Sequence, residues 1–598
     1  MSINADVDRD GVVDTAGDGD RVGKDSASAT SGALILPNIG VSGVSCPNSS
    51  STASANELES CHDAMDDIAH APENLAPVIV APMQSVSEKA TGTLTVDGDS
   101  QGKIRVFHKT DDGWTFVAPG TTFDSTTLAG GIEFGVDSRD VVRDSAVWDG
   151  TVKIGMTVDD GDTSSSDSVT MVVAPIVLHN HTEKVSTLYT SQSGDRPEHQ
   201  RFTSDLAAAL GNTTVDNELK IIGTEDNWAQ DYVEFGYVSM PAADGQVRSI
   251  EIAVRSPQPT RIGGRALFDL RGPNFGAVQT GGDGYRQVDS FGNLEVIPPY
   301  EHNGRSYPAG RIIYGNGGEQ SNMHEDVRTF FTSQQLQSPM VELDTSWLAI
   351  AHVDEFVQFL PADNARGWTI AVADPRSGLE LMKKAQRGGH GSEPAGSNAA
   401  KAGTSIDDLL ADQSFLDANS EAAAAIDANL EILMNETGVG RDEVVLVPGL
   451  YEKSGWTSAP ITDDAPTDDA PTDDAPTDDA PTDDGANEEA TSDEYAKPFD
   501  VNTAFDGEVT YAPGMMGAFL PGAINGIIVD SGTYFAPKQW GPVINGTDIF
   551  DAAVRDVYAA HGMTVTFIDD YESHHAIGGE IHCGSNAVRT ARGTWWKL

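Results

Sequence analysis

Hydrophobic and polar residues alternate through residues 97–175, where five apolar segments are separated by Gly, Asp and Ser. The segments read KIRVF, WTFV, IEFGV, VKIGMTV and VTMVV. A period of two places apolar side chains on one face of a strand. Short strands of this kind, bounded by turn residues, predict an antiparallel β-sandwich. Residues 25–95, which are rich in Ser and Ala, show only weak patterning.

After residue 176 the pattern changes to apolar strand-like segments that alternate with helical stretches. Residues 405–438 predict a helix that ends at Gly438, because glycine is typical of a helix C-terminus. Residues 347–361, WLAIAHVDEFVQFLP, predict a buried strand. In such a strand His352 and Asp354 lie on one face, where they need polar partners or form a structural pair. This part of the chain is therefore predicted to be α/β.

A low-complexity segment interrupts the second part of the chain. The sequence TDDAP occurs four times from Thr462 to Pro481 and is followed by further acidic residues. Such a segment has too few apolar residues to form a core. We expect an acidic, disordered surface insert at 459–495, which acts as a solvated spacer.

The length of 598 residues is too great for a single core and predicts several domains. No run of 18 apolar residues is present, so no transmembrane helix is expected. The polar, acidic start lacks the pattern of a secretory signal, and a cytoplasmic location is the default expectation. Cys46 and Cys61 could pair, although three cysteines form no disulfide framework.

The net charge of −55 is the most extreme feature of the composition. Self-repulsion of this size destabilises a compact fold, but concentrated salt screens it. We therefore interpret the chain as a halophilic protein; a secreted or cation-binding acidic protein is the alternative. The excess of carboxylates argues against a nucleic-acid partner, because phosphate binding needs clustered Lys and Arg.

Three segments place polar residues that are typical of catalysis in apolar surroundings. They are EDNWAQDYVEFGY (225–237), WLAIAHVDEFVQFLP and GEIHCGSN (579–586). A lone cysteine such as Cys583 is often a small buried apolar residue, but it can also be a nucleophile. Together, Cys, His and two Asp suit attack on a guanidinium: the carboxylates bind the cation, the thiolate attacks carbon, and His transfers protons.

The chain resembles the protein-arginine (peptidylarginine) deiminase family over almost its whole length. The matching segments are DNWAQDYVEFGY, SFGNLEVIPPY (290–300), SWLAIAHVDEFVQFLPA (346–362), WGPVINGTD (540–548), GGEIHCGSNAVR (578–589) and the final TWW. The opening DVDRDG…GALILPN is similar to the start of the family's middle domain, so the family's N-terminal domain is expected to be missing. Six ordered segments make the resemblance specific.

The resemblance implies a fold and a domain division. Residues 1–176 would form a calcium-binding, all-β immunoglobulin-like middle domain. Residues 177–598 would form a catalytic domain of the five-bladed α/β propeller type that guanidine-modifying enzymes share. In that fold, segments distant in sequence meet at the central axis.

The resemblance also implies roles for individual residues. Cys583 would be the nucleophile and His352 the general acid and base. Asp231 and Asp354 would bind the guanidinium. For substrate binding, the residues implied are Trp228 and Trp347, which line the substrate stem unless they belong to the core, and Arg261, which grips the substrate backbone.

Calcium is the cofactor that the resemblance implies, and hard oxygen ligands suit it. Beside the active site the ligands would be Gln230, Glu234, Glu295 and the backbone carbonyls of Phe291 and Leu294.

A second calcium cluster is expected in the opening acidic loop. The pattern D-x-D-x-D-G-x-x-D (6–14) itself suits calcium, although an acidic terminus is the plainer interpretation. The resemblance assigns Asn4, Asp6, Asp8, Asp10 and Asp14 to this cluster.

The sequence departs from the family at positions that matter for a further calcium site. Tyr232 stands where an acidic residue is usual, directly after Asp231, and Arg255 stands where Asp begins a D-S-P turn. We expect that site to be lost or altered. Arg261 is the nearest equivalent of the backbone-gripping arginine, in a gapped stretch.

The expected function is calcium-dependent conversion of protein-bound arginine to citrulline and ammonia, through a thiouronium intermediate on Cys583. The partner would be an arginine-containing protein or peptide, without nucleic acid or membrane, and a homodimer is left open. The first alternative is the same chemistry on free arginine or another small guanidino compound. A non-enzymatic calcium-binding protein and a cysteine protease are weaker alternatives, since the protease leaves the two Asp unexplained.

Overall fold

The structure, a computed structural model, describes the chain except for residues 454–514 and positions 100–101, 193, 217, 260, 283, 285, 319–321, 591–593 and 598. The acidic insert predicted at 459–495 therefore lies outside the described residues. Within the described part, no helix is both long enough and apolar enough to span a membrane.

The first part of the chain is built mainly from strands. The strands are β1 (Ile3–Ala5), β2 (Ala33–Ile35), β3 (Ala76–Val80), β4 (Thr91–Asp97), β5 (Ile104–Thr110), β6 (Gly113–Phe116), β7 (Thr122–Asp124), β8 (Ile132–Ser138), β9 (Thr151–Asp160) and β10 (Thr163–Val173). Two short helices accompany them, α1 (Ala55–Glu59) and α2 (Ser125–Gly130).

These strands form two five-stranded sheets, in the orders β1-β3-β8-β5-β6 and β2-β10-β9-β4-β7. The five alternating segments of 97–175 are the strands β5, β6, β8, β9 and β10, as predicted. Apolar side chains from both sheets, such as Phe134 and Ile154, belong to one buried core. One pair departs from the predicted antiparallel pattern, because β2 runs parallel to β10.

Cys46 and Cys61 form a disulfide in the weakly patterned stretch that precedes β3. It closes a loop with a sequence separation of 15 residues. Cys583 is the remaining cysteine and is a free, buried thiol.

The second part contains the remaining strands. They are β11 (Val177–Leu178), β12 (Val185–Ser191), β13 (Lys220–Ile222), β14 (Val233–Pro241), β15 (Val247–Arg255), β16 (Phe275–Gln279), β17 (Leu294–Ile297), β18 (Tyr300–His302), β19 (Arg305–Tyr307), β20 (Arg311–Asn316), β21 (Val341–Asp344), β22 (Val357–Pro361), β23 (Trp368–Asp374), β24 (Val445–Pro448), β25 (Tyr451–Lys453), β26 (Met516–Ala518), β27 (Ile527–Asp530), β28 (Thr533–Pro537), β29 (Val543–Ile544), β30 (Thr547–Asp548), β31 (Thr564–Ile568) and β32 (Ser585–Arg589).

Its helices lie mostly between strands of one sheet. They are α3 (Pro197–Leu210), α4 (Ala229–Tyr232), α5 (Gly263–Ala266), α6 (Glu325–Ser333), α7 (Pro375–Ala385), α8 (Ile406–Ala411), α9 (Gln413–Thr437) and α10 (Ile549–Ala560). The predicted helix of 405–438 is present as α8 and α9. It ends as predicted, because Gly438 adopts a left-handed φ of 75° and its N–H bonds the carbonyl of Met434.

Five small sheets of the second part share one pairing pattern. In each, a central strand pairs antiparallel with one neighbour and parallel with the other: β32-β12-β13, β14-β15-β16, β17-β20-β21, β22-β23-β24 and β27-β28-β31. Each parallel pair is joined through at least one helix, as parallel strands require a crossover. The mixed α/β content predicted for this part is confirmed.

The first of these sheets joins the two ends of the second part. β32 pairs antiparallel with β12, so that Ser585 lies opposite Thr190 and Arg589 opposite Val185. Apolar residues of β14, β15 and α6 share the buried core of the first part, so the two parts pack without a solvent gap. The boundary at 176/177 stays a prediction.

Contrary to the sequence prediction, the segment 347–361 is not a strand along its whole length. Only Val357–Pro361 is a strand, while Val353–Glu355 forms a 3₁₀ turn. His352 and Asp354 therefore stand at a turn before the strand. The apolar pattern of the segment reflects burial of the turn residue Val353 and of Phe356, which follows the turn.

Candidate active site

The candidate residues stand at equivalent positions in different sheets. Asp231 precedes β14, the turn 291–293 precedes β17, and Asp354 precedes β22. Asn525 precedes β27 and Cys583 precedes β32. Each of these strands is the antiparallel neighbour in its sheet, so the five sheets direct the same end towards one place.

Gly292 lies at the point where three of these segments meet. A Cβ built on this glycine would lie 2.6 Å from His352 Nδ1, 3.1 Å from Asp231 Oδ1 and 3.3 Å from Asp354 Oδ2. The structure therefore brings His352, Asp231 and Asp354 together as predicted. The absence of a side chain at Gly292 leaves open the space that these three groups face.

Cys583 lies next to one of the two carboxylates. Its Sγ is 3.6 Å from Asp354 Oδ2 and 3.4 Å from Asn525 Oδ1. Burial, together with the negative charges of Asp354 and Asp231, raises the pKa of the thiol well above its ordinary value. The thiol is therefore protonated at neutral pH, and a cation between the carboxylates would favour the thiolate.

The imidazole of His352 presents a defined nitrogen to the site. Nε2 lies 2.9 Å from the backbone carbonyl of Gln287, which can only accept a hydrogen bond. Nε2 therefore carries a proton. Nδ1 faces Asp231 at 3.8 Å and is the nitrogen that can exchange a proton with a bound molecule.

Asp231 is already paired with a guanidinium, that of Arg261. Arg261 Nη2 lies 2.5 Å from Asp231 Oδ2, and Nη1 lies 3.1 Å from Asp226 Oδ1. Arg261 also bonds the side chains of Gln258 and Ser290. The predicted backbone-gripping arginine is thus held inside the site, and the second oxygen of Asp231 stays without a hydrogen bond.

A chain of polar contacts leads away from Asp354. Its Oδ2 lies 3.0 Å from His582 Nδ1, and His582 Nε2 lies 3.4 Å from Glu295 Oε1. The other oxygen of Glu295 lies 2.8 Å from His181 Nε2. All four side chains are buried. One of the predicted calcium ligands is therefore linked to a predicted substrate-binding carboxylate.

The predicted calcium ligands near the active site lie close together. Gln230 Nε2 donates to Glu234 Oε2 at 2.7 Å and to the Phe291 carbonyl at 3.2 Å. Leu294 and Glu295 follow directly at the start of β17. Burial, and then the charge of Glu295, raises the pKa of Glu234 well above its ordinary value. Two buried carboxylates with carbonyl oxygens form a donor set that fits Ca²⁺.

The acidic opening loop is only partly gathered. Asp6 and Asp8 place carboxylate oxygens within 4.8 Å of one another and of Asp20, a residue that the sequence interpretation omitted. Asp14 lies beside Asp8, since a Cβ on Gly19 would be 2.8 Å from Asp14 Oδ2 and 3.2 Å from Asp8 Oδ2.

The other two predicted ligands of this loop make bonds of their own. Asn4 is buried and its amide donates to the Asp14 carbonyl at 2.9 Å. The Asp10 carboxylate is exposed and accepts a bond from the Val12 N–H at 2.8 Å. The part of the loop whose carboxylates are suitable ligands for calcium is therefore Asp6, Asp8, Asp14 and Asp20.

The two predicted tryptophans have different surroundings. Trp228 is half-buried next to the nucleophile segment, because a Cβ on Gly579 would meet its ring at 2.4 Å and Cys583 Cβ at 3.1 Å. Trp347 packs edge-on against the rings of Phe356 and Tyr451 and contacts a core cluster. Trp228 thus adjoins the site, while Trp347 has the contacts of a core residue.

Tyr232 and Arg255, the two residues expected to alter a further calcium site, are both buried in the protein. Tyr232 is fully buried and its hydroxyl lies 2.9 Å from Ser191 Oγ. Arg255 is buried and donates to Gln279 Oε1 at 2.7 Å. A neutral phenol and a cation at these positions are consistent with the expected alteration.

Sequence reasoning missed several residues of the site. They are Gly292, Asn525, Asp226 and the backbone carbonyl of Gln287. Their roles depend on contacts between different sheets, which leave no local pattern. The text SFGNLEVIPPY contained Gly292, but only the ligands around it were singled out.

The sequence of this chain is similar to those of a known protein family. The model of the family described as protein-arginine deiminase (PAD) matches residues 163–597. Similar curated proteins include protein-arginine deiminase type-1 from Mus musculus, 30% identical over 442 residues, and type-4 from Homo sapiens, 28% identical over 444 residues. Each alignment covers 72% of this chain and 57% of the relative. The chain thus spans little more than half the length of these relatives.

Proposed function

The chain belongs to the protein-arginine deiminase family, and we propose that it hydrolyses the guanidinium of protein-bound arginine to citrulline and ammonia. The observation that carries the proposal is the meeting of Asp231, His352 and Asp354 around Gly292, with Cys583 beside Asp354. These residues come from three separate segments of the chain, since only His352 and Asp354 share one. A structural pair would explain two of them, but not all four.

The two carboxylates are the proposed binding groups for the substrate cation. Asp231 Oδ1 and Asp354 Oδ1 are buried and accept no hydrogen bond. Buried acceptors of this kind are costly unless a ligand supplies donors. An arginine guanidinium has five N–H donors in one plane and can serve both carboxylates.

Cys583 is the proposed nucleophile. A guanidinium bound between Asp231 and Asp354 would offset the charges that keep the thiol protonated. The thiol proton passes to His352 Nδ1, and the thiolate sulfur then bonds the central guanidinium carbon. The carbon–nitrogen bond breaks, ammonia leaves, and the substrate remains as a thiouronium on Cys583.

His352 is the proposed proton carrier for both halves of the reaction. Its Nδ1 gives a proton to the departing nitrogen and later accepts one from water. The water oxygen attacks the same carbon, the carbon–sulfur bond breaks, and citrulline forms with the thiolate restored. Nε2 stays bonded to the Gln287 carbonyl throughout, so the ring keeps one orientation.

We propose that Ca²⁺ is held by Gln230, Glu234, Glu295 and the carbonyls of Phe291 and Leu294. The Gln230 amide group would turn, because its NH₂ end now faces Glu234 and the Phe291 carbonyl. When bound, calcium supplies a fixed positive charge next to buried carboxylates. Asp6, Asp8, Asp14 and Asp20 are the proposed second cluster.

The five sheets with one pairing pattern support a five-bladed α/β propeller for residues 177–598. Pairing of β32 with β12 supports closure of that arrangement. We propose that residues 1–176 form the immunoglobulin-like domain, which the two five-stranded sheets support. The net charge of −55 supports the proposal that the protein functions in concentrated salt. The cytoplasmic location and a homodimer stay predictions.

The second candidate is deimination of free arginine or another small guanidino compound. The position of Arg261 favours it, because the guanidinium of this side chain is bound to Asp226 and Asp231 and is therefore not free to bind a substrate backbone. The relatives, by contrast, are named as protein-arginine deiminases. We therefore keep protein-bound arginine as the primary proposal.

The test is citrulline formation from a blocked arginine peptide and from free arginine, in molar salt, with and without Ca²⁺. Wild type is compared with Cys583→Ser. We expect calcium-dependent product from the peptide that disappears in the variant. Product from free arginine alone would move the proposal to the second candidate, and product from neither would contradict both.

A further inference from the structure

His181, Glu295 and His582 form a buried cluster that the proposed chemistry does not fully use. The three side chains are 5%, 7% and 8% exposed. Each offers one ligand atom within 4.8 Å of the others. They line a cavity of about 20 Å³, together with Glu234 and Arg589. A space of that size holds one water molecule or one ion.

The ligand atoms lie close enough together for a single small metal ion to bind them. His181 Nε2 lies 2.8 Å from Glu295 Oε2, and His582 Nε2 lies 3.4 Å from Glu295 Oε1. Ligand atoms that surround a tetrahedral Zn²⁺ at bond lengths near 2.0 Å are about 3.3 Å apart. Glu295 Oε1 is buried and accepts no hydrogen bond, which leaves an acceptor directed at this space.

The second nitrogen of His582 provides an independent observation. Its Nδ1 lies 3.0 Å from Asp354 Oδ2, while Nε2 faces Glu295. Histidines that bind metals generally donate their other N–H to a carboxylate, which fixes the tautomer and the ring orientation. His582 already has that arrangement, with Asp354 as the supporting carboxylate.

We propose that His181, Glu295 and His582 bind a divalent transition-metal ion such as Zn²⁺, in competition with calcium for the Glu295 carboxylate. Two imidazoles and one carboxylate are a ligand set for zinc and its neighbours, whereas Ca²⁺ prefers oxygen ligands alone. The competition rests on the proposed calcium site. The transition-metal site does not depend on it or on the proposed reaction.

The position of this site has a consequence for substrate binding. A metal on His582 Nε2 leaves a proton on Nδ1, and that N–H donates to Asp354. The ion is therefore one imidazole ring away from a carboxylate proposed to bind the substrate. We expect zinc to inhibit the enzyme by holding Asp354 and by displacing calcium from Glu295.

The test measures metal binding directly, without the deimination assay. The full-length chain with Cys583→Ser is titrated with Co²⁺ and with Zn²⁺ in high salt, so that the free thiol and the acidic surface contribute little. We expect one tight site whose cobalt absorption is that of a low-coordinate nitrogen and oxygen environment. His181→Gln should weaken zinc binding by about 100-fold or more, since even supporting residues of such sites are worth 10- to 100-fold.

His179→Gln is the matched control. His179 is buried two residues earlier and also lines the cavity, but its ring nitrogens lie 2.8 Å from Glu183 and 3.3 Å from Glu251, and it is not part of the ligand group. This variant should bind zinc as tightly as its parent. Equal affinity in His181→Gln and its parent, or the weak absorption of a six-coordinate oxygen site, would overturn the proposed site.

The competition has its own readout. Calcium added to the cobalt-loaded protein should remove the cobalt absorption. Simultaneous binding of both ions would overturn the competition. These results stand apart from the proposed function, because a chain that makes no citrulline can still bind zinc through His181.

Discussion

Arg261 and Asp231 form a largely buried ion pair inside the site that we propose for a substrate guanidinium, with 2.5 Å between Nη2 and Oδ2. The protein's own arginine therefore occupies one carboxylate of the site. Asp226 bonds the same guanidinium, so substrate that approaches Asp231 finds Oδ2 bonded and Oδ1 without a hydrogen bond. Binding through both oxygens requires Arg261 to move, whereas binding through Oδ1 alone requires the two guanidinium groups to share Asp231.

Removing Arg261 should create a binding place for an external guanidinium. In Arg261→Ala, Asp226 and Asp231 lose their buried partner, and we expect a loss of stability of about 3–5 kcal/mol. Added methylguanidinium, at low millimolar concentration, should raise the Tm of this variant more than that of wild type. Arg271→Ala is the control, because Arg271 bonds only backbone carbonyls in the contacts described. Equal shifts in all three proteins would contradict the pairing.

Gly292→Ala should reduce activity while the protein stays folded. The new methyl group would lie 2.6 Å from His352 Nδ1 and would displace the groups around it. A displacement of about 1 Å at a catalytic site lowers the rate by about 100-fold. Citrulline formation measures the loss. Gly272→Ala is the control, since a Cβ there meets no atom within 4 Å; a full rate in Gly292→Ala would be incompatible with this geometry.

Asp231→Asn and Asp354→Asn should each lower kcat/KM by about 100-fold or more, because each removes one buried charge opposite the substrate cation. Circular dichroism should show an intact fold. Asp363→Asn, at an exposed carboxylate, should behave as wild type. Retention of most of the activity in either buried variant would rule out two-carboxylate binding.

Glu234→Gln should weaken calcium activation. The substitution removes one of the two carboxylates among the proposed ligands, and calcium affinity depends on ligand charge. We expect the calcium concentration for half-maximal activity to rise by about 10-fold or more, with little change in the rate at saturating calcium. An unchanged calcium requirement would place the ion elsewhere.

His62 should make the first part of the chain sensitive to acid. Burial lowers its pKa from 6.5 to about 4, against the opposing charge of Asp140. Below pH 6.5 the unfolded chain therefore binds a proton at His62, whereas the folded chain leaves His62 unprotonated until the pH approaches 4. The free energy of unfolding is highest above pH 6.5 and decreases as the pH falls towards 4, by up to about 1.4 kcal/mol per pH unit.

The measurement is the free energy of unfolding of wild type and His62→Gln between pH 4 and 7. Wild type should lose more stability than the variant across this range. His561→Gln, at an exposed histidine, is the control and should follow wild type. Parallel curves for wild type and His62→Gln would refute the prediction.

The strands that the sequence predicted are those with one apolar and one polar face. β9 has buried and exposed positions that largely alternate, and its pattern is visible in the text. β1 and β2 have three residues each, all buried. Short strands without a polar face leave no alternation, so no local pattern could identify them. The turn at Val353–Glu355 was misassigned for the same reason, because its apolar residues are buried without being in a strand.

Of the candidate site, the sequence predicted the groups with reactive chemistry and missed those that act through shape. Asp231, His352, Asp354 and Cys583 are reactive side chains within segments that resemble one family. Gly292 contributes empty space, and Asn525 contributes an amide that contacts Cys583 from another sheet. The pairing of Arg261 with Asp231 also depends on three-dimensional contacts, so no local sequence pattern predicts it.

The pairing of β32 with β12 bears on the order in which the chain can fold during synthesis. The Ser186 hydroxyl bonds the carbonyl of Val588, which is translated 402 residues later. β12 therefore leaves the ribosome long before the strand that completes its sheet, and contacts between such distant residues form slowly. Cys583 lies two residues before β32. Translation thus delivers Cys583 and the missing strand almost together, so incomplete chains lack both the finished β32-β12-β13 sheet and the proposed nucleophile.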